Sequence, residues 1–161
     1  MTRRNVGIVV VFAAAVGWFL TRSGNEDPAD RIRAAIRRTI EAAESQDLGG
    51  VMDVISERFT ARNKGLDRDG VKGILFVQLR RGAWRTVFLT DAQIDVEEGP
   101  APARAEVKLE ALLAAGKEVK SVSDVVPTNA AKYRFELVFA REEDDEWRVI
   151  EADYKRLPVG G

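Results

Sequence analysis

The sequence predicts an α+β domain in which three N-terminal helices pack on an antiparallel sheet of about four strands. Three observations carry this. Apolar residues recur at helical spacing up to residue 80; from Trp84 the period shortens to two; and aspartates stand where helix starts need a side-chain acceptor. The chain has 161 residues, and the part after its oily leader is long enough for one hydrophobic core.

The elements follow in order. Asp27 before Pro28 reads as a capping carboxylate with proline at the first helical position. Ile32, Ala35, Ile36, Thr39, Ile40 and Ala43 then share one face, while Arg33, Arg37, Glu41 and Glu44 fill the other. Residues 46–50 break this helix. The stripe Val51, Met52, Ile55 and Phe59 predicts a second, shorter helix ending near Arg58. Residues 63–70 read as a polar loop. Asp67 or Asp69 caps a third helix through Val71, Ile74, Leu75 and Leu79, closed by Arg80, Arg81 and Gly82.

Strands come next. Phe88, Thr90, Ala92, Ile94 and Val96 alternate with polar partners until Glu98, Gly99 and Pro100 stop the run. Ala105, Val107, Leu109 and Ala111 alternate with Arg104, Glu106, Lys108 and Glu110. Tyr133, Phe135, Leu137 and Phe139 alternate with Lys132, Arg134 and Glu136. A charged turn at 142–145 leads into Trp147, Val149 and Ile150, and the last strand ends near Tyr154. Alternation of this kind places one sheet face on helices and the other in water, the habit of antiparallel sheets. Residues 113–130 have no clear period, and Val125, Val126 and Pro127 there suggest an irregular edge.

The leader is a separate matter. Arg3 and Arg4 precede an unbroken apolar run over residues 6–20, and Arg22 is the next charge. The positive flank belongs on the cytoplasmic side of a membrane, which puts the rest of the chain outside. The run is short for a bilayer span of about 20 residues, which favours a cleaved signal. Trp18, Phe19, Leu20 and Arg22 stand where a processing enzyme wants small residues, which favours an uncleaved anchor. The expected layout is a signal or membrane anchor over residues 1–22, a linker over 23–27 and a domain over 28–157. The expected location is the cell inner membrane, single-pass, with the domain on the periplasmic or extracellular side, or secretion after cleavage.

Composition narrows the chemistry. Without Arg3, Arg4 and Arg22, the 26 acidic residues outnumber the remaining basic ones, which argues against a nucleic-acid partner. The chain has no cysteine and no histidine, so disulfides, thiolate sites and imidazole-based triads are unavailable. No cofactor is implied. Asp67, Asp69 and Gly70 resemble the opening of a calcium loop, but Gly65 stands at the first ligand position and Phe76 at the closing one. Helix capping is the better reading, and no metal site is expected.

Three helices, a run of long strands and an acidic turn before a tryptophan strand resemble the nuclear-transport-factor-2-like superfamily, which includes ketosteroid isomerases and SnoaL-type cyclases. The likeness rests on the helix ending in Phe59, the short loop to the Asp67-to-Leu79 helix, and the closing pattern from Tyr133 through Glu146, Trp147, Arg148 and Val149. It implies a cone-shaped fold with a curved sheet and a pocket between sheet and helices. In the enzymes of this superfamily an aspartate base works there beside a tyrosine or second acid.

The corresponding candidates are Asp53, Tyr133, Asp153 and Tyr154, and they form no recognisable catalytic constellation. Tyr133, Trp147 and Asp153 are expected to line the pocket. Asp153 alternates with Trp147 and Val149, which aims it inward unless a bulge intervenes. Arg80, Arg81, Trp84 and Arg85 form a basic and aromatic cluster suited to an interface. The expected function is a membrane-anchored binding or protein-interaction module. Its partners are the membrane through residues 6–20, a small apolar ligand or a protein, and a second copy through the sheet. A small-molecule isomerase or cyclase and a scaffold component of a cell-envelope assembly are the alternatives.

Overall fold

The computed structural model describes residues 27–62, 64–97, 99, 103–115 and 130–159. The apolar run at 6–20 and most of the segment at 113–130 lie outside them. Among the described residues no helix is long and apolar enough to cross a membrane.

Helix α1 (Pro28–Glu44) starts as its sequence requires, with Asp27 accepting from the Ala29 amide and proline at the first turn. It buries Ile32, Ala35, Ile36, Ala42 and Ala43. Gln46 ends it with φ +62, and its side-chain amide donates to the carbonyl of Leu79 at 2.8 Å. Helix α2 (Leu48–Asp53) is capped by Asp47, whose carboxylate accepts from the Gly50 amide at 3.0 Å. A Cβ on Gly50 would sit 2.7 Å from Asp47 Oδ2 and 2.8 Å from the Ala42 Cβ, so this turn needs glycine.

The second helix ends earlier than its stripe suggests. Residues Ile55–Ala61 form strand β1, which runs parallel to the last strand. Four apolar positions at helical spacing cannot outweigh the ladder on offer: the Val149 amide donates to Val54 O at 2.8 Å, and the Arg62 amide to Ala152 O at 3.0 Å. Phe59 is still buried in the core, but from a strand. Helix α3 (Arg68–Arg80) is capped by Asp67 through the Gly70 amide at 2.9 Å. It closes at Gly82, whose φ of +67 suits glycine and whose amide reaches Leu79 O at 3.0 Å. The aspartates of this loop serve as a helix start, as expected.

Strands β2 (Thr86–Glu97), β3 (Arg104–Ala114), β4 (Ala130–Arg141) and β5 (Trp147–Leu157) form the antiparallel part of one five-stranded sheet, ordered β1-β5-β4-β3-β2. The sheet is therefore mixed, with one strand more than expected, and that strand precedes the third helix.

Two bulges break the alternation, bending their strands and reversing the side-chain faces beyond them. Thr90 is an extra residue between the pairs Leu89–Ala111 and Asp91–Glu110, so Phe88 lies on the opposite face from Ile94 and Val96. Ile150 is extra between Phe139–Val149 and Val138–Glu151. Ala152 and Tyr154, rather than Asp153, therefore share the inner face with Trp147 and Val149.

The main core joins Ile32, Ala35 and Ile36 of α1 to the inner sheet residues Val107, Leu109, Phe139, Trp147 and Val149. A second cluster, with Ala42, Ala43, Val51, Met52, Leu75 and Leu79, binds the helices to one another. The outer sheet face carries ion pairs, among them Lys132–Glu110 at 2.8 Å, Arg134–Glu110 at 2.7 Å and Arg62–Glu151 at 2.9 Å.

Candidate functional site

Between α1, α3 and the inner sheet face the core is incomplete. A cavity of about 370 Å³ remains, walled by Ile36, Ile40, Phe59, Leu75, Trp84, Leu109, Ala111, Tyr133, Phe135 and Leu137. Strand alternation delivers Leu109, Ala111 and Leu113 from β3, with Tyr133, Phe135 and Leu137 facing them from β4. Helix α1 supplies Ile36, Ile40 and Ala43 on its buried stripe.

The rim is of a different character. Ile74, Leu89 and Tyr154 border it and are each more than 40% exposed. Tyr133, Phe135 and Tyr154 form an aromatic group with ring centroids 5.9 to 6.3 Å apart. Lys64 places its ammonium 3.4 Å from the centre of the Tyr154 ring, a cation–π contact at the mouth. The interior thus suits apolar atoms, while the mouth offers a positive charge beside tyrosine.

The sequence-derived candidates are distributed as follows. Tyr133 lines the cavity. Trp147 is buried in the core and borders a second, polar groove of about 860 Å³ on the other side of Val54 and Ile55. Asp153 reaches the cavity rim, but it pairs opposite Glu136, on the other face of the sheet from Phe135. The Ile150 bulge is the cause. Asp53 is exposed at the end of α2 and borders the polar groove. Of the cluster at the end of α3, Trp84 turns inward to wall the cavity, while Arg80 lies over the Phe76 ring at 5.5 Å and Arg85 folds over Gly82. Lys64, Leu89 and Ile74 were not singled out as site residues. For Lys64 the only local signal is its place in the short loop before α3.

The polar groove is organised by Arg148. Its guanidinium binds both oxygens of Asp144 at 2.8 and 2.6 Å, Glu142 at 2.7 Å and the carbonyl of Asp53 at 3.2 Å. Glu142 also accepts from the hydroxyl of Ser56, which is wholly buried. Hydrogen bonds from Arg148 hold the Asp144 carboxyl down at about 2. Burial alone would raise Glu142, but the bonds from Ser56 and Arg148 outweigh it and leave that group below its usual range. Arg141 and Arg31 do the same for Asp145. Every one of these carboxylates is already engaged by the protein's own cations, so the cluster ties the β4–β5 turn to β1 and α1.

No protein-family model and no curated protein matches the chain. Solved structures share its fold. A nuclear-transport-factor-2-like protein of unknown function from Shewanella oneidensis aligns with a TM-score of 0.56 at 15% identity, covering 80% of this chain and 98% of its own. A second nuclear-transport-factor-2-like protein, from Cytophaga hutchinsonii, gives 0.58 at 12%, covering 82% and 100%. A ketosteroid isomerase-like protein from Erwinia carotovora gives 0.53 at 15%, covering 84% and 100%. The chain thus has the nuclear-transport-factor-2-like α+β fold, and at these identities the likeness is one of fold alone.

Proposed function

We propose that this protein is an exported, membrane-anchored module whose domain binds a small apolar ligand in the cavity between α1, α3 and the sheet. The observation that carries the reading is the cavity itself: about 370 Å³ of space within aliphatic and aromatic walls, entered past Lys64 and Tyr154. That is the size and character of sites for small ligands. A ligand with an apolar body and an anionic or hydrogen-bonding head fits best, its body among Leu109, Phe135 and Trp84 and its head beside Lys64. Catalysis is the weaker reading, because Asp53 belongs to the polar groove and Asp153 sits opposite Glu136. The membrane location is supported by the apolar run at 6–20 and its arginine flanks.

The test is titration with N-phenyl-1-naphthylamine, a neutral apolar fluorophore, followed by energy transfer from tryptophan, with Trp84→Phe removing the donor that walls the cavity. Saturable binding is expected. Ala111→Phe, which fills the cavity from the middle of β3, should weaken binding at least tenfold while the variant still melts cooperatively. Equal binding by a folded Ala111→Phe variant would sink the cavity reading.

A further inference from the structure

Helix α3 has an unusual outward face. Its inner side buries Leu75 and Leu79, yet Ile74, Phe76 and Val77 are 44%, 46% and 42% exposed. At helical spacing Lys72, Phe76 and Arg80 form one row, and Gly73 and Val77 the next. Residues 70–85 contain no acidic side chain and four basic ones, Lys72, Arg80, Arg81 and Arg85, in a chain with 25 basic and 26 acidic residues overall; Arg68, at the start of the helix, turns instead to the polar groove and pairs with Glu57. The face is therefore apolar and cationic together. Ile74 joins it to the cavity rim, where Leu89, Tyr154 and Lys64 continue the same mixture.

We propose that the outward face of α3 docks the domain on an anionic lipid surface, with the cavity mouth opening beside the bilayer. Phe76, Val77 and Ile74 would enter the interfacial region, where burial of apolar area favours them, while Lys72, Arg80, Arg81 and Arg85 meet the head groups. Arg80 is already held along the Phe76 ring, so ring and charge move into the interface as a unit. Charge selects lipid over a second copy of the chain, since an isologous pairing would set this excess of positive charge against itself. The apolar run at 6–20, proposed above to enter a membrane, ends seven residues before Asp27. Fully extended, that linker spans only about 25 Å, which keeps the domain near a bilayer. Docking does not depend on the cavity being filled, so its failure and that of the cavity reading are separable.

The chain lacks cysteine, so one introduced thiol is a clean probe. Gly73 is the place for it, at the centre of the outward face with nothing within 4 Å of a Cβ built there. The full chain carrying Gly73→Cys with a nitrobenzoxadiazole label is reconstituted in vesicles of phosphatidylglycerol with phosphatidylcholine, or of phosphatidylcholine alone. In the anionic vesicles the label should shift to the blue and be quenched by spin-labelled lipid. Both effects should disappear in 0.5 M salt and in Arg80→Glu/Arg81→Glu. The same label at Glu136→Cys, on the outer sheet face, should stay water-like throughout. A water-like label at position 73 in anionic vesicles, equal insertion in both lipids, or a shift that needs only higher protein concentration would each overturn the proposal, the last in favour of self-association.

Discussion

On one side of Val54 and Ile55 the walls are aliphatic and aromatic and leave a space; on the other, arginines and carboxylates meet so closely that their bonding capacity is taken up. The two hollows share a strip of backbone and differ in what their side chains still lack. Arg148, Glu142, Asp144 and Ser56 satisfy one another, whereas Leu109, Phe135 and Trp84 face a volume that no side chain of the described residues fills. Size does not distinguish them in the same sense as chemistry, because the polar groove is the larger.

The sharpest way to break this contrast is to compare two phenylalanines on the same strand. Phe139 is 1% exposed in the closed part of the core, and Phe139→Ala should cost about 3–5 kcal/mol in urea denaturation, the usual penalty for a cavity in a packed interior. Phe135 lines space that is already open, so Phe135→Ala should cost about half as much while weakening fluorophore binding several-fold. Equal losses would mean that the cavity is closed in solution.

The ionic side is sharpened by acid. Asp144, Asp145 and Glu142 all titrate below their ordinary values in the folded chain. The folded state therefore takes up protons less readily than the unfolded one. The stability these groups add is complete above their ordinary range, near pH 4 to 5, and is lost as pH falls toward about 2, where Asp144 titrates. Urea midpoints should drop over that window. In Arg148→Gln they should start lower at pH 7 and fall less on acidification; an unchanged acid slope would remove Arg148 from the account. The smallest effect belongs to Glu143, whose neighbours in the turn take the arginines. Glu143→Ala should change stability by less than about 0.5 kcal/mol.

The helix starts were legible in the sequence because their causes are local: Asp27 with Pro28, and Asp67 three residues before Gly70, satisfy amides within a single turn. The alternation of β3 and β4 was legible because no bulge falls within those strands. What could not be read was decided by partners distant in sequence. Ile55 to Phe59 fit a helical stripe, and only β5 makes them a strand. Thr90 and Ile150 look like any other strand residues, yet each reverses the side chains beyond it, which is why Phe88 and Asp153 point away from where simple alternation puts them. The resemblance to a family with a pocket was sound in fold, and Tyr133 lines the cavity from β4. Lys64 and Tyr154 come together only through the loop before α3 and the end of β5.

The parallel pairing of β1 with β5 has a consequence for how the chain matures. Ile55 finds its partner at Val149, so the edge of the sheet cannot close until the final strand is available. Contacts between such distant residues slow folding, because a long loop must be ordered before the pairing rewards it. If the chain crosses a membrane in order from the residues after the apolar run, α1, α2 and β1 arrive with half of the core still missing. A polypeptide cut just before Trp147 would strand them there, exposing Phe59 and an unpaired edge. The final eleven residues of the sheet, Trp147–Leu157, are thus the strand on which closure of the β1 edge depends.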